Sequence, residues 1–406
     1  MNSENNTIVT LKKGEGRALK AGGAWVYDNE IETITGRFKN GSVVTVHDNN
    51  GFGLGKGFIN QNSTIRIRML TRNPAQEVDE AFIRMRVKNA WEYRKEVLGK
   101  EDLSACRLVF GEADWLPGIV VDKYEDVLVV ESLALGIEPF KPLILQALKD
   151  CLKEDGFEIR GIFERSDALV RKKEGLEPFK GFVGEAFDPH VCITENGVKY
   201  EVDVENGQKT GFFLDQKFNR RAIQSLVKGK KVLDCFTHMG TFALNAGLAG
   251  AESVLGLDIS GFAIAQATKN AELNGLSERV KFREANVLDE LPVLYEAGES
   301  FDFVVLDPPA FTKSREATRK AIKGYREINM KGMKLVRNGG FLATCSCSHF
   351  MTEELFKDVV SQAAKSVHKR LRQVYFGTQA PDHPILWSAD ESYYLKFFIF
   401  QVCDEL

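Results

Sequence analysis

Two short motifs in the second half of the sequence carry the side chains best suited to chemistry. The first, DPPAF at residues 307–311, follows an apolar run and places the Asp307 carboxylate in front of two prolines. Proline fixes its own backbone torsion and cannot donate to a sheet, so a strand must end there in a rigid edge. Such an edge, carrying a carboxylate and backbone carbonyls, suits the recognition of a planar base.

The second motif, CSCS at residues 345–348, places Cys345 and Cys347 two positions apart after another apolar run. A cysteine thiolate can add to C6 of a cytosine, which breaks the aromaticity of the ring and makes C5 nucleophilic enough to accept a methyl group. A cationic methyl donor, together with Lys313 or His349, would lower the pKa of such a thiol. The structural alternative is a pair of buried thiols at the end of a strand.

The element that would position these motifs is a βαβ unit at residues 231–258. An apolar strand ends in Asp234, a turn containing Gly240 follows, and an alanine-rich helix leads to a second strand that ends in Asp258. In doubly wound sheets the ligand lies beyond the carboxyl ends of the strands, where an acidic residue suits the two hydroxyls of a ribose. The unit therefore predicts a cofactor that contains a nucleoside.

The turn of this unit discriminates between nucleoside cofactors. A dinucleotide requires a loop of three glycines for its pyrophosphate, whereas residues 235–240 contain only Gly240. S-adenosylmethionine has no phosphate and carries a positive sulfonium, so it tolerates a bulkier loop and favours nearby acids. The sequence indicates this cofactor over NAD, with a βαβ unit of some other α/β enzyme as the alternative.

Further strands predicted at residues 280–286, 301–307 and 340–345, with a long aromatic strand at 393–402, extend the unit into a Rossmann-like α/β domain. If the fourth and fifth strands are adjacent, about 4.8 Å apart, the thiols and Asp307 face one crevice. Asn286, at the end of the third strand, is expected to bind the adenine. Phe212 and Phe213, beside a capping Asp215, would form a lid over the nucleoside.

Residues 1–72 predict a small β-barrel in which glycine-rich turns at Gly51, Gly53, Gly55 and Gly57 separate short strands. This segment holds ten Lys and Arg against six Asp and Glu, although the whole chain has a net charge of −3. Cations interleaved with aromatics suit RNA phosphates and unstacked bases, while a solvated face around a core tryptophan is the alternative. The side chains concerned are Lys12, Lys13, Arg17, Lys20, Trp25 and Tyr27.

Residues 73–187 predict a small α+β segment with helices at 78–98 and 139–154 and no catalytic constellation. Its acids Glu112, Asp114 and Asp122 are expected to serve as turn and cap residues. A hairpin at residues 192–203, with Asn196 and Gly197 at its tip, leads into the α/β domain.

The composition excludes several classes of protein. The polar start lacks the pattern of a signal peptide and no stretch has the apolar length of a membrane span, so a cytoplasmic protein is expected. Seven scattered cysteines lack paired metal spacing, so neither disulfides nor a metal site are expected. The sequence leaves open whether the chain forms a homodimer.

The combined motifs resemble the PUA-containing class I methyltransferases that methylate cytosine C5 in large-subunit (23S) ribosomal RNA. The resemblance covers nearly the whole chain. It implies an α/β fold in three parts, namely a PUA RNA-binding domain at residues 1–72, an α+β linking domain at 73–187 and a Rossmann-like, S-adenosylmethionine-dependent domain at 188–406. The segments that carry it are LKKGEGRALKAGGAWVYDNEI, GEADWLPGIVVDKY, GQKTGFFLDQ, DCFTHMGTF, LDPPAFTKS, CSCSHFM and DHPILW.

The resemblance also implies roles for individual residues. Cys347 would be the nucleophile, since relatives usually read serine-cysteine-serine there, and Asp307 would assist it. Cys345 is an additional thiol, so an exchange of the two cysteine roles stays open. The expected cofactor-binding residues are Lys209, Thr210, Gly211, Phe212, Asp234, Phe236, Gly240, Asp258, Ile259, Asn286, Val287 and Asp307, and the expected RNA-binding residues are Lys12, Lys13, Arg17, Lys20 and Lys313.

Two other functions remain compatible with these motifs. One is a guanine N-methyltransferase of the same fold, which would not need the cysteine. The other is a non-catalytic RNA-binding factor in ribosome assembly that retains only affinity for the cofactor. Cys347 is the residue that discriminates among the three.

Overall fold

The computed structural model describes residues 7–311 and 316–405, and the chain divides into two compact units. The first unit runs through Ile193 and includes Val202–Leu214 and Pro381–Ser392. The second comprises Thr194–Glu201, Asp215–Ala380 and the segment from Tyr393 onward. In the described part of the chain, no helix combines the length and apolar character that crossing a membrane requires.

A six-stranded sheet forms the N-terminal part of the first unit, in the order β2-β6-β5-β4-β1-β3. Strands β1 and β4 run parallel and the other neighbours run antiparallel. Alternate residues of β1 and β4, among them Val9, Leu11, Val44 and Val46, are buried in one apolar cluster. The elements are β1 (Ile8–Leu11), helix α1 (Arg17–Lys20), β2 (Trp25–Tyr27), β3 (Ile31–Thr35), β4 (Val43–His47), β5 (Gly53–Ile59) and β6 (Ile65–Thr71).

The prediction of turns at Gly53, Gly55 and Gly57 was wrong, because all three lie within strand β5. A Cβ atom on Gly55 would lie 2.1 Å from the Thr71 carbonyl oxygen, and one on Gly57 would lie 2.3 Å from that of Arg68. These glycines therefore allow β5 and β6 to approach closely, which is the other common reason for glycine inside a strand.

The first unit also contains a five-stranded sheet, in the order β11-β10-β9-β8-β7. Only β9 and β10 run parallel among its paired neighbours. The predicted first helix is confirmed, and it begins after Asp79, whose side chain accepts a hydrogen bond from the Phe82 amide. The elements are α2 (Glu80–Val97), β7 (Ala105–Phe110), β8 (Ile119–Tyr124), β9 (Val127–Ser132), α3 (Lys141–Glu154), β10 (Gly161–Ser166), α4 (Val170–Lys173) and β11 (Phe179–Phe182).

Two of the acids predicted as turn and cap residues, Glu112 and Asp114, lie in a 3-10 turn (Gly111–Asp114), where Asp114 accepts a hydrogen bond of 2.6 Å from the Phe110 amide, and both also form ion pairs. Asp114 binds the fully buried Arg94 through two hydrogen bonds of 2.5 and 2.8 Å. Glu112 accepts hydrogen bonds from Arg68 and from the indole of Trp25. The turn prediction is therefore confirmed for these two acids, whereas their ion pairs with residues distant in sequence were not predicted.

The predicted hairpin is present as β12 (His190–Glu195) and β13 (Val198–Asp203). Its tip residues, Asn196 and Gly197, both have positive φ angles of 54° and 80°. Those angles are the ones that a two-residue turn between antiparallel strands requires, so the sequence signal at the tip was sound.

A seven-stranded sheet organises the second unit, in the order β16-β15-β14-β17-β18-β20-β19. Strands β14 to β18 are parallel, and β20 runs antiparallel to both of its neighbours. This is the doubly wound α/β fold predicted, with its topological switch point between β14 and β17. The elements are α5 (Lys217–Gln224), β14 (Lys231–Cys235), α6 (Thr241–Leu248), β15 (Ser253–Asp258), α7 (Gly261–Leu273), β16 (Val280–Glu284), α8 (Val287–Glu296), β17 (Phe301–Leu306), α9 (Thr318–Leu335), β18 (Val336–Ser346), α10 (Glu353–Ser366), β19 (Lys369–Gly377) and β20 (Lys396–Asp404).

The centre of this sheet is buried on both faces, which explains its continuous apolar runs. Every residue of β17 is buried, and Val304 and Leu306 pack in one cluster with Tyr325 of α9 and Phe356 of α10. A parallel strand covered by helices on both sides loses the alternation seen in half-exposed strands. The polar residues that follow these strands therefore mark their carboxyl ends clearly in the sequence.

We expect Gly57→Ala to lower the free energy of unfolding of the first unit by about 1–3 kcal/mol, because the new methyl group would overlap the β6 backbone. The measurement is urea unfolding followed by tryptophan fluorescence. Gly99→Ala is the matched control, since a Cβ there would meet its nearest atom at an ordinary 3.6 Å. Equal stability of the two variants would contradict the explanation given for the glycines in β5.

Candidate active site

Three carboxylates lie at the carboxyl ends of adjacent parallel strands in the second unit. Asp234 is the penultimate residue of β14, Asp258 is the last residue of β15, and Asp307 follows β17 directly. Because β14 pairs with both β15 and β17, the three acids are grouped at the switch point of the sheet. The position is where doubly wound folds bind their ligands.

Asp234 is completely buried, and only one of its oxygens is used within the described part of the chain. Its Oδ2 accepts hydrogen bonds from the Thr237 hydroxyl at 2.5 Å and the Ala243 amide at 2.9 Å. Its Oδ1 has no hydrogen-bond partner among the described residues. Burial, together with the smaller effects of the neighbouring Asp307 and Asp258, raises the pKa of Asp234 to about 7, although the two hydrogen bonds oppose the shift. A ligand that brings a donor or a positive charge would relieve both effects.

The loop after β14 turns tightly although it contains a single glycine. Phe236, His238 and Gly240 all adopt positive φ angles, of 63°, 51° and 80°. Asp258 holds this loop by accepting hydrogen bonds from the backbone amides of His238 and Ser260, both at 2.9 Å. Burial lowers the pKa of His238 to about 4, so its ring is neutral at pH 7 and does not balance the acids.

The residues predicted on the adenine side lie in different environments. Strand β16 ends at Glu284, so the strand predicted to reach Asn286 is shorter than expected. Asn286 is exposed and caps helix α8 by accepting a hydrogen bond from the Leu288 amide. Ile259 is 69% exposed, whereas the Val287 side chain is buried in the apolar core.

Asp307 and Cys345 are in direct contact, because β17 and β18 are adjacent as predicted. The Cys345 thiol donates a hydrogen bond of 2.8 Å to Oδ1 of Asp307, and the Gln216 amide lies 3.4 Å from the same oxygen. Burial raises the pKa of Asp307 to about 6, while the hydrogen bond from Cys345 opposes the shift. Burial and the adjacent carboxylate raise the pKa of the Cys345 thiol.

Cys347 follows strand β18 and is partly exposed, in contrast to the completely buried Cys345. The serine between them donates a hydrogen bond of 2.9 Å to the Tyr325 hydroxyl. Of the two cations expected near this thiol, Lys313 lies outside the described residues. The other, His349, is exposed and its Nδ1 lies 3.5 Å from the Tyr393 carbonyl oxygen.

The predicted lid segment begins in the first unit, where strand β8 anchors it. The Thr210 hydroxyl donates a hydrogen bond of 2.6 Å to Asp122, and the Tyr124 hydroxyl bonds both Thr210 and the backbone of Phe212. Asp122 is completely buried and also binds Arg107 through two hydrogen bonds of 2.8 Å. The prediction that Asp122 is a turn or cap residue was therefore wrong.

The backbone of this segment departs from ordinary geometry at two of the predicted cofactor-binding residues. Lys209 has a φ of 57° and Gly211 a φ of 130°. A Cβ on Gly211 would lie 2.9 Å from a Val202 methyl carbon, so a larger residue has no room there. Phe212, which is 3% exposed, is buried within its unit.

Asp215, predicted as a cap, accepts a hydrogen bond of 2.8 Å from the Tyr394 hydroxyl instead. The N-cap of α5 is Gln216, whose side chain makes no capping bond. Sequence reasoning thus missed Gln216 as a partner of Asp307. The polar Gln216 ahead of a basic helix start was the available signal.

The four N-terminal cations predicted to bind RNA are exposed in the first unit, and the fifth, Lys313, lies outside the described residues. Lys20 pairs with Asp48 at 2.8 Å, and Lys12 donates to the Asn29 carbonyl at 2.7 Å, while Lys13 and Arg17 lie between them in sequence. The indole N–H of Trp25 donates to Glu112, as described above, and the guanidinium group of Arg68 lies over the Trp25 ring at 5.5 Å from its centroid.

Asp234 should make the folded protein less stable as the pH rises. Its folded pKa of about 7 exceeds the value of 3.8 expected for an ordinary Asp, so the folded state holds a proton that the unfolded chain releases. Stability attributable to this residue is therefore present below about pH 4 and lost as the pH rises to about 7.

We expect Asp234→Asn to reduce the fall in Tm between pH 5 and pH 7.5, measured by calorimetry without added ligand. Asp289→Asn, which changes an exposed acid in the first turn of α8, is the control and should keep the wild-type slope. Identical pH dependence in wild type and Asp234→Asn would show that Asp234 is not a buried, strained acid.

Comparison with known proteins places this arrangement in a family. A model of the S-adenosylmethionine-dependent methyltransferases matches residues 165–389, and a model of the PUA-like domain matches residues 9–72. A ribosomal RNA large subunit methyltransferase I from Shewanella denitrificans is 39% identical over 397 residues, covering 97% of this chain and 99% of the relative. The protein of the same name from Alteromonas mediterranea is 36% identical and covers 98% and 99%.

Solved structures share the fold at lower identity. A chain from Streptococcus mutans, described as a SAM-dependent methyltransferase, superposes with a TM-score of 0.81 at 18% identity, covering 97% of this chain and 99% of its own. Another, described as a methyltransferase complexed with SAH, has a TM-score of 0.82 at 18% identity with the same coverage. Two family models match the chain, and relatives 39% and 36% identical to it match nearly its whole length. The chain therefore belongs to the PUA-containing family of S-adenosylmethionine-dependent methyltransferases, in which these relatives are named ribosomal RNA large subunit methyltransferase I.

Proposed function

We propose that this chain forms 5-methylcytosine in large-subunit (23S) ribosomal RNA through a covalent adduct between Cys347 and C6 of the cytosine. The observation that carries the proposal is the pairing of Asp307 with the CSCS segment across β17 and β18. A base methylated on nitrogen needs no nucleophile, whereas methylation of an unactivated ring carbon does. The names of the relatives support large-subunit ribosomal RNA as the substrate.

The acidic cluster fits the cofactor of this family. Bound S-adenosylmethionine supplies a methyl group on a positively charged sulfur. The orphaned Oδ1 of Asp234 and the mutual repulsion of Asp234, Asp258 and Asp307 favour a cationic ligand that donates hydrogen bonds. We assign cofactor binding to Lys209, Thr210, Gly211, Phe212, Asp234, Phe236, Gly240, Asp258, Ile259, Asn286, Val287 and Asp307.

The chemistry assigned to the protein begins with addition of the Cys347 thiolate to C6. The electron pair of the C5–C6 double bond is then delocalised toward N3, where Asp307 donates a proton to the developing charge. C5 becomes nucleophilic and forms the new bond to the methyl carbon, while the bond between that carbon and the donor sulfur breaks and its electron pair stays on the sulfur, which leaves as a neutral thioether. A base or water removes the C5 proton, the C6–S bond breaks to restore the double bond, and N3 returns its proton.

The properties of Asp307 suit this role. A carboxyl group with a pKa of about 6 is protonated often enough near neutral pH to donate, and ionised often enough to accept the proton back. The two prolines that follow it hold its backbone rigidly. The Gln216 amide and the Cys345 thiol, both bonded to Oδ1, would keep the carboxyl group oriented.

The contrast between the two cysteines supports Cys347 as the nucleophile. The Cys345 thiol is completely buried and its proton is committed to Asp307, which makes its thiolate unfavourable. Cys347 is partly exposed. We therefore assign Cys345 to the positioning of Asp307 and the covalent step to Cys347.

RNA binding is assigned to the N-terminal unit. Exposed cations bind RNA phosphates without reading the sequence, and the resulting affinity falls steeply as salt is added. The residues are Lys12, Lys13, Arg17 and Lys20, with Lys313 proposed on the sequence alone. A cytoplasmic location and the possibility of a homodimer remain expectations from the sequence.

We expect RNA that contains 5-fluorocytidine to form a stable adduct with the wild-type protein, because fluorine cannot leave C5 as a cation. A 23S ribosomal RNA transcript carrying this base is incubated with the protein and S-adenosylmethionine, and the adduct is detected by denaturing gel and mass spectrometry. Cys347→Ala should abolish the adduct and lower methyl transfer on the order of 10³-fold or more.

Two further variants sharpen this experiment. Cys345→Ala should slow the reaction but keep the adduct, and Cys192→Ala, which changes an exposed cysteine, should behave as wild type. Full methyl transfer to cytosine by Cys347→Ala would overturn the proposal. Methylated guanine without any adduct would identify the N-methyltransferase, and cofactor binding without turnover would identify the assembly factor.

Asp258→Ala should raise the Kd for S-adenosylmethionine about tenfold or more, since it removes charge-assisted hydrogen bonds to the ribose and the anchor of the His238 loop. Isothermal titration calorimetry measures the effect directly. Asp289→Ala, at an exposed site on α8, is the control. An unchanged Kd for Asp258→Ala would remove this residue from the cofactor site.

A further inference from the structure

An almost completely buried lysine lies beside the CSCS segment. Lys396, the first residue of β20, is 1% exposed and sits directly opposite Ser346 in the antiparallel pairing of β18 and β20. Its Nζ donates hydrogen bonds to the Ser348 carbonyl at 2.6 Å and to the Tyr394 carbonyl at 2.9 Å. The ammonium group is therefore fixed against the carbonyl of Ser348, the residue that follows Cys347.

A buried ammonium group is unfavourable unless an anion compensates it. The acid nearest to that role is Glu353 of α10, but its two oxygens already accept hydrogen bonds from Lys357 and from the Tyr393 hydroxyl. The Tyr393 ring adds a cation–π contact at 5.6 Å from Nζ of Lys396. Backbone carbonyls and a ring face compensate only part of the charge, so an adjacent thiolate would complete the pairing.

The remaining titratable groups around the thiols come from two other strands and a helix. The Cys345 thiol of β18 donates a hydrogen bond to Asp307, which follows the neighbouring strand β17. The Ser346 hydroxyl donates a hydrogen bond to Tyr325 of α9. Burial raises the pKa of the Tyr325 hydroxyl, so it is uncharged at neutral pH. His349, two positions after Cys347, is exposed, so Lys396 is the buried group among those named here that brings a positive charge to the segment.

We infer that Lys396 is a positioning residue that holds the Cys347 side chain in its thiolate form for attack on the base. The inference rests on the proposed function, because it assigns a task to the same nucleophile. Burial lowers the pKa of Lys396 to about 8, and the charges of Cys347 and Cys345 oppose that shift. The ammonium form thus predominates at pH 7, and by reciprocity it favours ionisation of the thiol.

The hydrogen bonds that Lys396 donates to two backbone carbonyls argue against a role as a general base. A neutral amine that removes the C5 proton must present a lone pair to the substrate, whereas Nζ here points its N–H bonds at Ser348 and Tyr394. The geometry therefore favours a fixed cation over a proton acceptor.

The test measures the thiol without any RNA. Alkylation of Cys347 by iodoacetamide is followed by peptide mass spectrometry from pH 5.5 to pH 9.5 in wild type, Lys396→Met, Lys396→Arg and Lys357→Met. We expect Lys396→Met to react about tenfold more slowly at pH 7, with its profile shifted by about one pH unit upward. Lys396→Arg should retain most of the wild-type rate, and Lys357→Met, which removes another cation bound to Glu353, should match wild type.

A second measurement protects the test against misfolding of Lys396→Met. Thiolate absorbance at 240 nm is titrated in wild type and in Cys347→Ser, and the difference gives the ionisation of Cys347 in the intact protein. A midpoint below the usual value of about 8.5 supports the inference, and a midpoint at or above it overturns the inference. Coincident alkylation profiles for wild type and a folded Lys396→Met would also overturn it.

The outcomes separate this inference from the proposed function. Failure of wild-type protein to trap 5-fluorocytidine would refute the covalent mechanism while leaving a lowered thiol pKa as a measured fact. A trapped adduct combined with an ordinary Cys347 pKa would uphold the mechanism and refute the role of Lys396.

Discussion

The candidate site of the second unit depends on one constraint, which is that the fold removes carboxylates from water at the switch point of the sheet. The fold buries Asp234 completely and crowds it with Asp258 and Asp307, and no basic side chain is bonded to Asp234 among the described residues. Acids in such surroundings favour their neutral forms, which is why the pKa values of Asp234 and Asp307 rise to about 7 and 6. The site is thereby electrostatically incomplete, and it is suited to a ligand that carries positive charge.

In the proposed reaction, the two motifs at the ends of β17 and β18 supply different groups. The prolines after Asp307 fix a carboxyl group whose pKa lies near neutrality, and Cys345 and Gln216 orient it. One serine further along β18, Cys347 leaves the strand and becomes partly exposed. The chain thus passes from a buried to a partly exposed position within three residues, and in our proposal this change separates Cys345, which positions Asp307, from the nucleophile Cys347.

Much of the α/β domain could be predicted from the sequence, because its central strands are continuous apolar runs that end in Asp or Asn. The adjacency of β17 and β18, on which the grouping of Asp307 with the cysteines depended, followed from the doubly wound pattern. The predicted antiparallel strand at the end of the chain is confirmed as β20, although it begins at Lys396. These features arise from local periodicity and from the limited topologies open to parallel sheets.

The predictions that failed involve partners far apart in the chain. Gly55 and Gly57 were predicted as turn residues because glycine is common in turns. Glycine is needed at these positions because strand β6 passes too close for a Cβ atom, and no local sequence pattern reveals that contact. Asp122 looked like a turn residue because Thr210, its hydrogen-bond partner, lies 88 positions later. Lys396 was overlooked inside an aromatic strand, although a single lysine in such a run indicates a buried charge with a specific partner.

The backbone of the loop after β14 has a consequence for cofactor association. Non-glycine residues such as Phe236 and His238 require about 1–2 kcal/mol each to occupy the left-handed region, and a hydrogen bond within the protein, from the His238 amide to Asp258, holds the loop in this conformation. The folding of the protein has therefore already met the cost of ordering this loop. Association with the methyl donor should lose little chain entropy at this wall of the crevice, so that affinity reflects the fit between rigid surfaces.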